Sequence, residues 1–493
     1  MKVILAIDQG TTGSRAILYD RTGCKIASSY EEFPQYFPKP GWVEHDPNEI
    51  WASVNNSIQN VLNQAPYAEI AAIGITNQRE TTVIWDKNTG EPVYKAICWQ
   101  CRRTSQRCDS IKKDSKLTRD ITKKTGLPVD AYFSATKIEW ILKNIPGALK
   151  RAKEGKLLFG TTDTWVLWKL TGGRIHKTDF TNASRTMLFN VNKMDWDDDL
   201  LKKFLVPRKI LPGVGRSSGL FGETVEIGNL KSGIPISGIA GDQQAALFGQ
   251  GCFNPGEIKN TYGTGAFLLL NTGKKRPYSQ NGLITTIACG SKGEAVYALE
   301  GSIFIAGAAI QWLRDGIKII EKASQTKEMA ESLASNEGVY FVPALVGLGA
   351  PYWEQDTRGV ITGITRGTTR EHLARAATEA MCYQTKDIME AMRKDSGLKV
   401  KELKVDGGAA ANDFLCQFQA DILGVDIIRP KIIETTSLGA AYLAGLAVGF
   451  WKDTAEIKDC WQLDKKFSPL MKRLDAQKFY KGWKEAVKKT LYK

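Results

Sequence analysis

Two strand–turn–strand segments, one at the start of the chain and one near its middle, constrain the fold more than any other feature. In the first, the aliphatic run Val3 to Ile7 stops at Asp8, turns through Gly10-Thr11-Thr12-Gly13 and resumes as a strand over Arg15 to Tyr19. In the second, Glu257 to Thr261 leads into Gly263-Thr264-Gly265 and then into Ala266 to Leu270. Each reads as a β-hairpin with a polar, glycine-bearing tip. One such hairpin opening each half predicts two related domains facing each other across a cleft, covering residues 1–251 and 252–493. The chain length of 493 residues already demands more than one core.

Between the hairpins, helices alternate with strands, which indicates an α/β architecture. Asp46 as N-cap and Pro47 at the first position start a helix whose apolar face is Trp51, Val54, Ile58 and Val61. Ile70 to Ile75 is strand-like and delivers the polar run Asn77-Gln78-Arg79-Glu80 at its end. In the second half, Thr368 and Glu371 predict a capping box. It opens a long helix with Leu373, Ala377, Met381, Ile388 and Met392 on one face. The strand Leu403 to Val405 runs into Asp406-Gly407-Gly408. A helix then starts at Asn412, buries Phe414, Leu415, Phe418 and Ile422, and ends at Gly424.

A glycine-rich turn lets main-chain N–H groups approach a phosphate with no Cβ in the way, and successive amides form an anion-binding nest. In the run Asp8 to Arg15, the threonine hydroxyls add donors, Arg15 adds charge, and Asp8 can hold hydrated Mg2+. A plain tight hairpin would use the same residues. No G-x-x-x-x-G-K-[ST] stretch exists, so a P-loop is excluded. The second hairpin repeats the logic of the first. Gly407-Gly408-Ala409 before the Asn412 helix offers a third close approach, suited to the adenosine end of a nucleotide or simply to a strand-to-helix turn. Asp242 in Gly241-Asp242-Gln243-Gln244 reads equally as a helix N-cap and as a carboxylate that accepts the proton of an attacking hydroxyl.

Charge and cysteine content narrow the setting. The formal net charge of +14 is spread along the chain. Its one concentration, the basic stretch from Lys465 to Lys493, alternates with Leu, Phe, Tyr and Trp as the solvated face of a terminal helix would. This predicts neither nucleic-acid binding nor a membrane partner. The longest nearly apolar stretch, Leu438 to Trp451, is too short to span a bilayer, and the N-terminus has no signal-peptide core. Nine cysteines, an odd number, read as free thiols in a reducing compartment, so a cytoplasmic location is expected. Cys98 and Cys101 form a C-x-x-C with no second pair at zinc-like spacing. The three histidines, His45, His176 and His372, are read as structural or surface residues.

Over essentially its whole length the sequence resembles the glycerol kinases, members of the sugar-kinase family with the actin-like ATPase (ribonuclease H-like) fold. The resemblance rests on DQGTTGSR, GWVEHDP, ITNQRETT, WQCRRT, GTTDTWVLWKLTGG, TDFTNASRTMLFN, GIAGDQQAALFGQ, NTYGTGAF and VDGGAAAN. It implies ATP-dependent phosphorylation of glycerol to glycerol 3-phosphate, the entry step of glycerol catabolism, in a homodimer or homotetramer with Mg2+ as cofactor. It implies that Thr11, Thr12, Gly13 and Arg15 hold the nucleotide phosphates, with Asp8 near the metal. Thr264, Gly307, Gln311, Gly408 and Asn412 would line the rest of the nucleotide site. Arg79, Glu80, Tyr132, Asp242 and Gln243 would hydrogen-bond the polyol, with Trp99 and Phe267 against its carbons and Asp242 as catalytic base. Two departures stand out. Gly13 replaces a serine common in relatives, and the stretch Phe221 to Asp242 lacks the Arg or His through which some bacterial relatives are regulated. A kinase of another small polyol or ketose shares the ATP features. An actin-like or chaperone-like ATPase shares the hairpins but needs no polyol pocket.

Overall fold

The aliphatic run near the N-terminus is continuous, not alternating, because it is buried on both faces of a sheet. In the computed structural model, which describes residues 1–354 and 356–491, it forms β1 (Lys2–Gln9), antiparallel to β2 (Gly13–Tyr19), which in turn pairs with β3 (Lys25–Glu32). The other edge of β1 takes β4 (Glu69–Asn77) in parallel. Next come β5 (Ser218–Glu223) and β6 (Pro235–Gly241), the latter parallel to β4, in the order β5-β6-β4-β1-β2-β3. An antiparallel meander extended by parallel strands is the ribonuclease H-like sheet. The parallel strands end together: Gln9 lies opposite Asn77, and Asn77 opposite Gly241. Two loops and the start of a helix therefore leave one end of the sheet side by side, where α/β sheets bind ligands.

Helix α1 (Pro47–Gln64) packs on this sheet through Val54, Ile58 and Val61. Asp46 caps it by accepting from the Asn48 amide at 2.9 Å. Trp51 is only partly buried, and Ile50 joins a neighbouring cluster with Trp85 and Trp165. That second cluster includes α2 (Thr162–Leu170), and β6 runs directly into α3 (Asp242–Gly249).

The second sheet comprises β7 (Ile258–Tyr262), β8 (Ala266–Gly273), β9 (Ile284–Cys289), β10 (Ala295–Ile303), β11 (Glu402–Asp406), β12 (Asp426–Pro430) and β13 (Leu463–Phe467). Its order is β9-β10-β8-β7-β11-β12-β13, again a hairpin, β7–β8, followed by a parallel neighbour, β11. Helix α4 (Gly307–Gln311) is short, α5 (Arg370–Ser396) long and largely buried, and α6 (Asp413–Leu423) ends at the left-handed Gly424 as expected. The cap of α5 lies one residue later than the sequence indicates. Thr369 is the N-cap and its amide donates to His372 Nδ1 at 3.1 Å, while the Thr368 hydroxyl is occupied in the preceding turn, accepting from the Thr365 amide at 2.9 Å. Thr368 and Glu371 therefore do not form the box, and His372 has a structural role.

The two compact units are not contiguous in sequence. Met1–Phe253, Thr285–Tyr297 and Thr435–Trp461 form one, whereas Asn254–Ile284, Ala298–Glu434 and the chain from Gln462 onward form the other. A single cut near residue 251 does not describe that path. The last return is made by α7 (Thr435–Ala447), which holds most of the apolar stretch and lies on the first sheet. A Cβ on Gly74 of β4 would overlap the Ala440 carbonyl, and one on Gly439 would overlap the Ala245 carbonyl of α3. Glycine is required there for close approach of main chain to main chain. The terminal helix α8 (Arg473–Leu491) buries Ala476, Trp483, Ala486 and Val487 and leaves its lysines exposed. Tyr492 and Lys493, the end of the basic stretch, lie outside the described residues. Among the described residues no helix is long and apolar enough to cross a membrane.

Candidate functional site

The first turn leaving the sheet edge is held from behind by side chains. Gly10 N–H donates to the Gly13 carbonyl at 2.9 Å, Gln78 Nε2 donates to the Gly10 carbonyl at 3.1 Å, and Gln35 Nε2 donates to the Thr11 carbonyl at 3.1 Å. Buried His45 joins these two glutamines, 2.7 Å from Gln35 Oε1 and 3.4 Å from Gln78 Nε2. Burial lowers its pKa to about 4, so the ring stays neutral. The Thr12 hydroxyl meets Tyr30 Oη at 3.2 Å, and the Arg15 guanidinium lies over the Tyr30 ring. A Cβ on Gly13 would approach the Glu31 carbonyl to 2.6 Å and the Tyr30 ring to 2.7 Å. That crowding favours glycine at the position where relatives commonly carry serine.

Asp8, one residue before the end of β1, is half-buried. Burial pushes its carboxyl up to about 7; Arg15 opposes that rise and the charge of Asp242 adds to it. Asp8 and Asp242 are therefore within electrostatic reach of each other.

Arg79 and Glu80 follow the end of β4. Glu80 has a left-handed backbone (φ 62°), and its carbonyl accepts from Ser134 Oγ at 3.0 Å, Thr82 Oγ1 at 3.1 Å and Lys137 Nζ at 3.4 Å. Such a conformation costs about 1–3 kcal/mol in a non-glycine residue and persists only where its surroundings enforce it. Arg79 Nε lies 3.1 Å from Asp242 Oδ1 and 4.0 Å from Glu80 Oε1, and its Nη1 donates to Gln244 Oε1 at 3.2 Å. Asp242 is the first residue of α3 and not its cap. The cap is Gly241, whose amide donates to Thr181 Oγ1 at 2.8 Å. The Asp242 carboxylate accepts from the Gln243 amide at 2.7 Å and from Gln243 Nε2 at 3.2 Å. Its side chain is 32% exposed against 1% for Arg79 and Glu80, so it is the most open of the three. Trp99 and Tyr132 meet edge to face at 5.6 Å, and Trp99 Nε1 donates to Thr11 Oγ1 at 2.9 Å. Asp8, Thr11, Arg79, Glu80, Trp99, Tyr132, Asp242 and Gln243 are thus gathered at one edge of one sheet.

In the second unit, Gly263 N–H donates to the Gly265 carbonyl at 2.8 Å. The start of α4 packs on this turn: Gly307 N–H donates to the Gly263 carbonyl, and the Ala306 and Ala308 amides to the Thr264 carbonyl, all within 3.0 Å. A Cβ on left-handed Gly407 would overlap the Tyr262 carbonyl, which brings the Gly407-Gly408 turn against the hairpin. Asn412 caps α6 through the Leu415 amide at 3.3 Å and reaches Thr326 Oγ1 with Nδ2 at 3.3 Å. Thr264, Gly408 and Gln311 are exposed, and Phe267 is half-buried opposite Thr261 on the hairpin.

Several participants carry no role in the sequence reading, although they lie inside segments that support the family resemblance. In TDFTNASR, buried Asp179 accepts from Thr181 and Asn182, Thr181 carries the Gly241 amide, and Arg185 Nε contacts Glu80 Oε1 at 2.5 Å. In GTTDT, Asp163 accepts from the Thr178 hydroxyl at 2.6 Å, and burial pushes its carboxyl up to about 6. Threonine density around an aspartate in each segment is the sequence signal they carry. Cys98 and Cys101 are buried free thiols. Among the described residues no group of three or more His, Cys, Asp or Glu side chains could hold a metal alone.

The profile for the N-terminal domain of the FGGY family of carbohydrate kinases matches residues 3–249, and that for its C-terminal domain matches residues 258–448. Glycerol kinase 2 of Thermotoga maritima is 58% identical over 100% of this chain and 99% of its own. Glycerol kinase of Caldanaerobacter subterraneus is 57% identical over 99% of each. The crystal structure of Plasmodium falciparum glycerol kinase with ADP superposes with a TM-score of 0.93 at 39% identity, covering 100% of this chain and 99% of that one.

Proposed function

This chain belongs to the FGGY family of carbohydrate kinases, and from that premise we propose that it transfers the γ-phosphoryl group of ATP to a terminal hydroxyl of glycerol, giving glycerol 3-phosphate and ADP. The observation that carries the reading is the hydrogen bond from Trp99 Nε1 to Thr11 Oγ1, which joins the wall of the polyol pocket to the phosphate turn. An alcohol beside Asp242 then lies next to the phosphates.

Glycerol offers three hydroxyls and little apolar surface, so recognition falls to paired donors and acceptors. Arg79 would donate, Glu80 would accept, Tyr132 and Gln243 would hydrogen-bond the hydroxyls, and Trp99 would lie against the carbons. Asp242, held by Arg79 and open on one side, takes the hydroxyl proton as the oxygen attacks the γ-phosphorus and the bond to the β-phosphate oxygen breaks. On the nucleotide side, Thr11, Thr12, Gly13 and Arg15 would receive the phosphates. Thr264, Gly307, Gln311, Gly408 and Asn412 would receive the remainder.

Mg2+ fits the donor set at Asp8. The carboxyl is raised by burial and by a second carboxylate nearby, a strain that a divalent cation relieves, and phosphate and water oxygens would supply most of its ligands. When bound, Mg2+ neutralises charge on the phosphates. A cytoplasmic setting suits nine free thiols and an ATP-consuming reaction. A homodimer or homotetramer is the assembly we propose, and light scattering decides it.

The test is a coupled assay of ADP release with and without glycerol, alongside a pentulose. ADP release should depend on glycerol. Turnover without glycerol would favour a free-standing ATPase, and preference for the pentulose would reject glycerol as substrate.

A further inference from the structure

We propose that Arg185 is a positioning residue for substrate recognition: it holds the Glu80 carboxylate so that Arg79 is left to Asp242. The inference rests on the polyol pocket described above and deepens it.

Four charges of alternating sign stand in a row. Arg185 Nε is 2.5 Å from Glu80 Oε1, Glu80 is 4.0 Å from Arg79 Nε, and Arg79 is 3.1 Å from Asp242. Arg79 has two carboxylates to choose between and sits nearer to Asp242. Coulomb attraction alone would draw it toward Glu80, since that pair is fully buried whereas Asp242 is partly solvated. Arg185 removes that pull by taking Glu80 for itself.

Its own placement is tightly determined. The side chain is fully buried, and the guanidinium carbon lies 5.4 Å from the centre of the Tyr132 ring and 5.3 Å from that of Phe133. A planar guanidinium can stack on rings and bind a carboxylate at its edge at once, which a lysine ammonium cannot. Arg185 therefore sets both the Glu80 carboxylate and the Tyr132 ring, two walls of the same pocket. Lys137, a further cation near Glu80, feels the charge of that carboxylate but places its hydrogen bonds on the main chain. Its Nζ donates to the Tyr132 carbonyl at 2.7 Å and to the Glu80 carbonyl at 3.4 Å, and burial lowers its pKa to about 8.

The decisive experiment is a double-mutant cycle between Arg185→Met and Glu80→Gln, read as KM for glycerol, KM for ATP and kcat. Arg185→Met should raise the glycerol KM about 30-fold or more and leave the ATP KM within about threefold. Arg185→Lys should recover part of that loss. Once Glu80 is neutral there is no charge to hold, so Glu80→Gln/Arg185→Met should bind glycerol as well as Glu80→Gln alone. Additive losses in the double variant, or equal effects on both KM values, would overturn the assignment. Should Arg185→Met fail to fold, the lysine variant carries the test: a wild-type glycerol KM there overturns it. The wild type separates the two readings. If it prefers another alcohol, glycerol is rejected as substrate, and the same ratios measured with that alcohol still decide Arg185.

Discussion

Gly439→Ala tests whether the seat of Asp242 depends on main-chain packing between α7 and α3. A Cβ on Gly439 would fall more than about 1 Å inside the distance of ordinary contact with the Ala245 carbonyl oxygen. Both atoms belong to helix backbones, so no flexible side chain can swing away. Gly74 of β4 and Gly238 of β6 seat α7 equally closely on the sheet, so α3, only eight residues long, is the element that gives. Overpacking of this kind costs about 1–3 kcal/mol. A shift of about 1 Å at the start of α3 moves Asp242 relative to the alcohol by a similar amount, a misplacement worth about 100-fold in rate. The expected result is kcat reduced about 30- to 100-fold in the coupled assay, with a lowered thermal midpoint. Gly219→Ala is the control, since a Cβ there meets open space. A folded Gly439→Ala protein with kcat within about threefold of wild type would refute the dependence.

Asp242→Asn is nearly isosteric and should reduce kcat by about 100- to 10,000-fold while leaving the ATP KM nearly unchanged; near-normal kcat would remove Asp242 as base. Arg79→Ala deletes a buried, charge-assisted donor and should raise the glycerol KM about 10- to 100-fold with little change for ATP. Equal effects on both substrates would instead assign Arg79 to the scaffold. His45 has a folded pKa of about 4 against an ordinary 6.5, so the unfolded chain takes up its proton first. The stability due to its neutral ring is intact above pH 6.5 and lost as pH falls toward 4, about 3 kcal/mol in all. His45→Asn should flatten that acid limb in urea unfolding followed from pH 7 to pH 4, and an unchanged limb would refute the assignment.

Much of the fold was legible because it is written locally. The hairpin β1–β2, the Asp46 and Asn412 caps, and the run delivered by β4 each depend on residues within a few positions of one another. The α5 cap misled by one residue for a reason equally local, since the Thr368 hydroxyl is taken by a turn that propensity does not reveal. The supporting layer of the site was illegible for the opposite reason. Glu80 and Arg185 are 105 residues apart, and Arg79 and Gln244 are 165 apart. No periodicity links such partners, and only the folded sheet and the helices packed on it bring them together.

Even the alignment of the strand ends depends on irregularities that the sequence conceals. The β1–β4 ladder shifts register between Val3 and Ile4, and the β6–β4 ladder shifts between Ile236 and Gly238. Side chains alternate between the faces of a sheet, so a slip of one residue in either ladder would turn every later side chain on that strand to the opposite face. With both shifts in place, Gln9, Asn77 and Gly241 end level. The residues that follow these ends are the Gly10–Gly13 turn, Gln78 with the Arg79–Glu80 pair, and Asp242. The level ends of the three strands thus depend on two register shifts, one at the far end of β1 and one midway along β4, neither of them among the candidate site residues.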